Sequence, residues 1–164
     1  MGTYMDKIKH LDELKELCNQ WKKNRETIVF TNGCFDIIHP GHVRYLEKAK
    51  ALGDRLVVGL NSDQSVARIK GPSRPIMDEK SRAEVLAALS STSAIIIFEE
   101  DTPYRLIEEL QPQVLVKGGD WAPHEIIGAD IVQKGGGKVE VIPYVEGFST
   151  TSIISKVLRL QKEG

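Results

Sequence analysis

Apolar residues recur along the chain in two alternating rhythms. Ile8, Leu11, Leu14, Leu17, Cys18 and Trp21 follow helical spacing, which predicts an amphipathic helix over roughly residues 10–24. Thr27-Ile28-Val29-Phe30-Thr31 is a short β-branched run, read as a buried strand. Pro40 opens a second helix with Val43, Leu46, Ala49 and Leu52 on one face, and Gly53 ends it. Residues 55–60 read as a second strand and 63–69 as a short helix, and Asp78 caps a helix reaching about Leu89. Further strands are expected at 94–98, 114–116 and 138–142. Helices are expected from Pro103 to Leu110, near 126–134, and from Ser149 to about Leu160.

The strands are short and apolar on both faces, and they alternate with helices throughout. That pattern predicts an α/β fold, a Rossmann-like doubly wound sheet of five parallel strands with helices on both faces. A length of 164 residues suits one domain, with an N-terminal amphipathic helix (1–25) and a Rossmann-like core (26–164). Right-handed crossovers place the loops that follow the strands along one edge of the sheet, so the chemistry is expected there.

Charge narrows the classes. Lys plus Arg number 22 against 23 Asp plus Glu, and aromatics make up 6%, which disfavours a nucleic-acid-binding surface. Cys18 and Cys34 form no CxxC pair, which suits a reducing compartment. No apolar run approaches the ~18 residues of a membrane span. The first ten residues lack the apolar core of a signal peptide, so a cytoplasmic protein without a membrane partner is expected. The apolar faces of the 10–24 and 78–89 helices are expected to pair with another subunit in a homo-oligomer, a dimer being the commonest form.

The first strand runs into Thr31-Asn32-Gly33-Cys34-Phe35-Asp36-Ile37-Ile38-His39-Pro40-Gly41-His42. Two histidines three apart, around a Pro-Gly that begins a helix, put both rings beside free backbone N–H groups and the positive end of the helix dipole. Gly33 and Gly41 let phosphate oxygens approach the backbone. After the second strand come Arg68, Lys70 and Arg74 around Gly71-Pro72, cations suited to a polyphosphate. Ser149-Thr150-Thr151 offers a second hydroxyl-rich helix N-terminus. Neither GxxxxGK[ST] nor GxGxxG is present in its required context, so a P-loop and a dinucleotide dehydrogenase are disfavoured. Zinc held by Cys34, His39 and His42 is disfavoured because a fourth ligand is lacking, and no metal ligand is assigned.

The HxGH segment within FTNGCFDIIHPGH resembles the nucleotidyltransferase superfamily that shares the HIGH motif with class I aminoacyl-tRNA synthetases. VGLNSDQSVARIKGPSRPI, FEEDTP, LVKGGDW, IIGADIV and FSTTSIISK extend the likeness from Thr27 to Lys156. The ordered set is similar to bacterial D-glycero-β-D-manno-heptose 1-phosphate adenylyltransferases. That resemblance implies transfer of AMP from ATP to the sugar phosphate, with Mg²⁺, releasing pyrophosphate and making ADP-heptose for the lipopolysaccharide inner core. It also implies the stand-alone form of a unit that many bacteria fuse to a sugar kinase.

The residue roles that follow are expectations. His39 and His42 donate to the transferring phosphate, and Arg68 and Lys70 hold phosphates. Ser149, Thr150 and Thr151 hold the β- and γ-phosphates, and Lys117, Gly118 and Asp120 lie near the nucleoside. Asn32, Asp36, Asn61 and Asp63 face the sugar or the metal. Gly33, Phe35, Gly41 and Arg82 complete the binding set, Arg82 by resemblance alone. The alternative is a transferase of the same superfamily with another phosphorylated small molecule, such as a glycerol-3-phosphate cytidylyltransferase. Those enzymes typically carry an arginine three residues before the glycine of their GxSTT segment, where this chain has Tyr144. A nucleotide-sensing module without turnover is the reading from a different class.

Overall fold

Five strands, β1 (Ile28–Gly33), β2 (Arg55–Asn61), β3 (Ala94–Phe98), β4 (Val114–Gly118) and β5 (Lys138–Ile142), form one sheet. The structure is a computed structural model and describes residues 2–164. All pairings are parallel, in the order β3-β2-β1-β4-β5. Seven helices connect and flank them: α1 (Leu11–Lys23), α2 (Pro40–Lys50), α3 (Asp63–Lys70), α4 (Glu79–Ala88), α5 (Tyr104–Leu110), α6 (Ala129–Lys134) and α7 (Thr150–Glu163). The expected alternation and sheet are therefore present.

The strand order reverses between β1 and β4, which is where a doubly wound sheet opens a crevice. The register shows how. β1 pairs with β2 from Ile28↔Arg55 through Gly33↔Leu60, but with β4 only at Val29↔Val114 and Phe30↔Leu115. Beyond Phe30 and Leu115 the two central strands part, and their carboxyl ends become opposite walls.

Successive strand residues point to opposite faces, and each face is buried. Ile28, Phe30, Val57 and Ile96 pack with Leu14, Cys18 and Trp21 of α1 and with Ile107 and Leu110 of α5. Val29, Leu56, Val58 and Ile95 pack with Leu46 of α2 and Leu86 of α4. Each fully buried aliphatic side chain contributes about 1.5–3 kcal/mol.

Two expectations need correction. α1 buries Leu14, Cys18 and Trp21, and α4 buries Arg82, Ala83, Leu86 and Ala87, so the faces expected to pair with another subunit are filled within the chain. It is α7 that buries no residue, with Val157, Leu158 and Leu160 exposed. The helix expected near 126–134 divides instead into a 3₁₀ turn, Pro123–Glu125, and the short α6. A further feature was not foreseen. The N-terminal segment covers the edge of β3, where Ile8 bridges Ile95 and the Lys9 N–H donates to the Ile95 carbonyl at 2.9 Å. An edge strand left bare invites pairing with another chain, and this segment blocks it.

Candidate active site

The crevice between the parted strands has a volume of about 700 Å³. Its walls are the carboxyl ends of β1 and β4, the first turns of α2 and α7, and residues Lys70 and Arg74 beside the second strand's loop.

His39 is the extended residue that precedes α2, with Pro40 at the first helical position and His42 at the third. The His39 N–H donates to His42 Nδ1 at 3.3 Å. Because that nitrogen accepts, the neutral ring carries its proton on Nε2. The two rings stack, with centroids 3.7 Å apart and planes at 25°. Phe35 tilts against His42 at 5.5 Å, and Phe148 stacks on the other side of the pair, 6.2 Å from His39. Gly41 leaves room for the stack, since a Cβ there would stand 2.8 Å from His39 Cε1 and push that ring aside.

Burial sets the charge of the pair. Burial, then the His39 and Lys70 charges, push the His42 imidazole down to about 4. Burial also lowers His39. Both rings are therefore neutral at pH 7 and serve as hydrogen-bond donors without a positive charge of their own. His39 Nδ1 is buried and, among the described residues, has no hydrogen-bond partner. Buried polar atoms are nearly always satisfied, so an orphan inside a crevice marks a place for a ligand or water.

Asp36 lines the crevice and also has a structural part. Its carboxylate is buried and accepts from the Ile76 N–H (2.7 Å), the Met77 N–H (3.0 Å) and Arg74 Nε (3.3 Å). Its carbonyl accepts from the Thr150 hydroxyl at 2.6 Å. Asp36 thus clamps the 74–77 loop and the start of α7 onto the end of β1, and three hydrogen bonds fix the carboxylate at the crevice wall. Around it, Phe35 and Ile37 hold left-handed backbone, at φ 46 and 52, a strained state for such side chains.

Arg82 is neither a ligand nor the surface ion pair its helix position suggests. Its side chain is fully buried and donates to the carbonyls of Met77 (3.0 Å), Cys34 (2.7 Å) and Asn61 (2.9 Å) and to Asp63 Oδ1 (2.8 Å). Asp63 is thereby held at the start of α3 and lies off the crevice wall. Asn61 does line the crevice, but its amide donates to Ser65 Oγ at 3.0 Å.

The cations divide. Lys70 lines the crevice, and so does Arg74, paired with Asp36. Arg68 does not. It pairs with Asp101 at 2.8 Å and donates to the Glu99 carbonyl on the outer side of β3. Its place on α3, two residues before Lys70, sends the two side chains in different directions. Lys117 lines the opposite wall, where burial lowers its ammonium pKa and its Nζ lies 5.8 Å from the Trp121 ring centroid. Asn32, Gly33, Phe35, Gly41 and Gly118 all face the crevice, whereas Asp120 is exposed and outside its lining.

Ser149, Thr150 and Thr151 line it at the head of α7. Ser149 caps the helix, accepting from the Ser152 N–H at 3.0 Å. The Thr150 hydroxyl is spent on Asp36 and the Ser152 N–H on Ser149, so the Thr150 and Thr151 N–H groups and the Thr151 hydroxyl remain for a ligand. Among the wall residues not singled out from the sequence as site residues are four aromatic ones, Tyr45, Trp121, Tyr144 and Phe148. Tyr45 was the most accessible, standing one helical turn from His42 on the same face of α2.

Two helix N-termini and a neutral histidine pair facing one switch-point crevice suit a phosphate chain, with no protein nucleophile required. On this fold they define a nucleotidyltransferase. Comparison with known proteins gives the family: residues 30–156 match the model described as Cytidylyltransferase-like, and the chain belongs to that family. It is 55% identical over 157 residues to the Bifunctional protein HldE of Geobacter metallireducens, covering 96% of this chain and 32% of that protein. It is 50% identical over 161 residues to the protein of the same name in Syntrophotalea carbinolica, covering 98% and 33%. The chain thus spans about a third of the length of these curated relatives. Among solved structures, it is similar to the lipopolysaccharide core biosynthesis protein of Thermoplasma volcanium, with 32% identity and a TM-score of 0.58 over 73% of this chain and 97% of that one. The pantoate-beta-alanine ligase of Francisella tularensis shares the fold alone, at 15% identity and a TM-score of 0.58, over 89% and 74%. Among the described residues, no helix is long and apolar enough to cross a membrane.

Proposed function

We propose that this chain transfers AMP from ATP to D-glycero-β-D-manno-heptose 1-phosphate, releasing pyrophosphate and forming ADP-heptose for the lipopolysaccharide core. The likeness to proteins named HldE and to a lipopolysaccharide core biosynthesis protein supports the substrate. The neutral, stacked His39–His42 pair at the head of α2 carries the chemistry.

A phosphate oxygen of the sugar attacks the α-phosphorus of ATP in line. The new P–O bond forms as the bond from that phosphorus to the α,β-bridging oxygen breaks, and pyrophosphate leaves with the electron pair. The nucleophile is already anionic, so no base is needed. Catalysis is positioning and stabilisation of charge on the transferring phosphorus. His42, protonated on Nε2, donates to the phosphate oxygens, and His39 takes part through its unsatisfied ring. Lys70 and Lys117 hold phosphates from opposite walls, and the first turn of α7 receives the leaving pyrophosphate.

Mg²⁺ is part of the proposal as the triphosphate's counterion. The carboxylates that line the crevice include Asp36 and Asp101, each paired with an arginine. Among the described residues, no group of three His, Cys, Asp or Glu side chains is placed to hold a metal. When bound, the ion neutralises phosphate charge and keeps phosphate and water oxygens as ligands.

The test is pyrophosphate release from ATP or CTP with heptose 1-phosphate or glycerol 3-phosphate. Release with ATP and heptose 1-phosphate, and little with the other three pairs, is expected. Release with CTP and glycerol 3-phosphate instead overturns the assignment.

A further inference from the structure

Tyr144 is 76% exposed, the most exposed of the large hydrophobic side chains among the described residues, yet it lines the crevice. Its ring has a built seat. The Gly119 N–H donates to the Ile142 carbonyl at 3.0 Å, which carries the β4–β5 pairing one step further and folds Tyr144 back over the end of β4. There the ring rests on two residues without side chains. A Cβ on Gly119 would stand 2.8 Å from Tyr144 Cε2, and one on Gly118 would stand 3.2 Å from Cε1. Gly119 also holds φ 109, a conformation that favours glycine. One face of the ring is therefore packed on backbone and the other is bare. The same crevice is also lined by the apolar side chains of Trp121, Ile126, Ile127 and Val145. The bare ring face itself has no charge to bind phosphate and no group to satisfy a sugar's hydroxyls. It suits a flat aromatic ligand, for which stacking needs no reorganisation.

We propose that Tyr144 is a substrate-binding residue that stacks on the nucleobase of the incoming ATP. This deepens the adenylyltransferase reading and rests on it. The ring carries the effect rather than the hydroxyl, because the hydroxyl lies over Gly119, 3.3 Å from the position of its absent Cβ.

Base stacking on one aromatic side chain is worth about 1–3 kcal/mol, about 5- to 150-fold in affinity. The experiment measures ATP binding by calorimetry, without sugar, for the wild type, Tyr144→Phe, Tyr144→Leu and Tyr144→Ala, alongside the KM for heptose 1-phosphate at saturating ATP. The expected result is ATP affinity within about twofold for Tyr144→Phe and weakened at least about fivefold for Tyr144→Ala and Tyr144→Leu. The sugar KM stays within about twofold throughout. Unchanged ATP affinity in Tyr144→Ala, or an equal loss in Tyr144→Phe, overturns the proposal, and so does a rise in the sugar KM alone. In those cases wild-type binding of ATP still stands, and the function survives. If the wild type binds no ATP, both readings fall.

Discussion

Replacing Arg82 with methionine keeps most of the side chain's length and removes its charge and donors. Four hydrogen bonds are lost at once, to Met77, Cys34, Asn61 and Asp63, at 2.7–3.0 Å. Removing one partner of a buried ion pair costs about 3–5 kcal/mol, because the groups left behind are unsatisfied. Two effects lower that figure: Asp63 is 38% exposed and regains water, and methionine restores apolar packing. A loss near the low end, about 3 kcal/mol, is expected. For a chain of this size each kcal/mol moves the melting temperature by about 2–4 °C, so Arg82→Met should melt about 6–12 °C below the wild type. Scanning calorimetry without nucleotide reads this directly. Arg82→Lys should recover less than half the loss, since one ammonium cannot span acceptors that a planar guanidinium reaches from separate nitrogens. A shift under about 2 °C for Arg82→Met would refute the reading of Arg82 as a buried strut and return it to the candidates for ligand contact.

Other outcomes follow from the same geometry. His42→Ala should lower the rate of pyrophosphate release by about 10²–10³-fold while circular dichroism shows a folded protein. Arg68→Ala should leave that rate within about threefold and cost at most about 1 kcal/mol of stability, as expected of an exposed ion pair. Between pH 6.5 and about 4 the unfolded chain binds a proton at residue 42 that the folded chain refuses, so stability should fall as the pH is lowered through that window. His42→Gln should show a shallower fall in melting temperature over the same range. Thr150→Val removes the 2.6 Å bond to the Asp36 carbonyl and should weaken binding of pyrophosphate, measured by calorimetry, more than that of adenosine.

The fold was legible because its signals are local. Short runs such as Ile28–Val29–Phe30 are apolar on both faces, and their spacing from the next helix leaves few topologies. The histidine pair was legible for the same reason, since three residues and a Pro-Gly determine its geometry. What was not legible depends on contacts far apart in sequence. Asp36 read as chemistry because it is a charged residue inside the motif, and Arg82 by resemblance alone, but their partners lie 40 and 48 residues away, at Ile76 and Cys34. Arg68 and Lys70 look equivalent in the sequence, and the helix turns them apart. Tyr144 was visible only as an unexpected residue at its position, because its seat is made by two glycines at the end of β4, 25 residues or more away.

The bond from the His39 N–H to His42 Nδ1 has a consequence for how the enzyme is assembled. It ties off one of the backbone donors at the start of α2, and in the same act it chooses which nitrogen of His42 bears the proton. The chain therefore needs no separate event after folding to place this proton, and the Nε2–H tautomer arrives with the first turn of the helix. Loosening that turn would free the choice of tautomer even with every side chain still present.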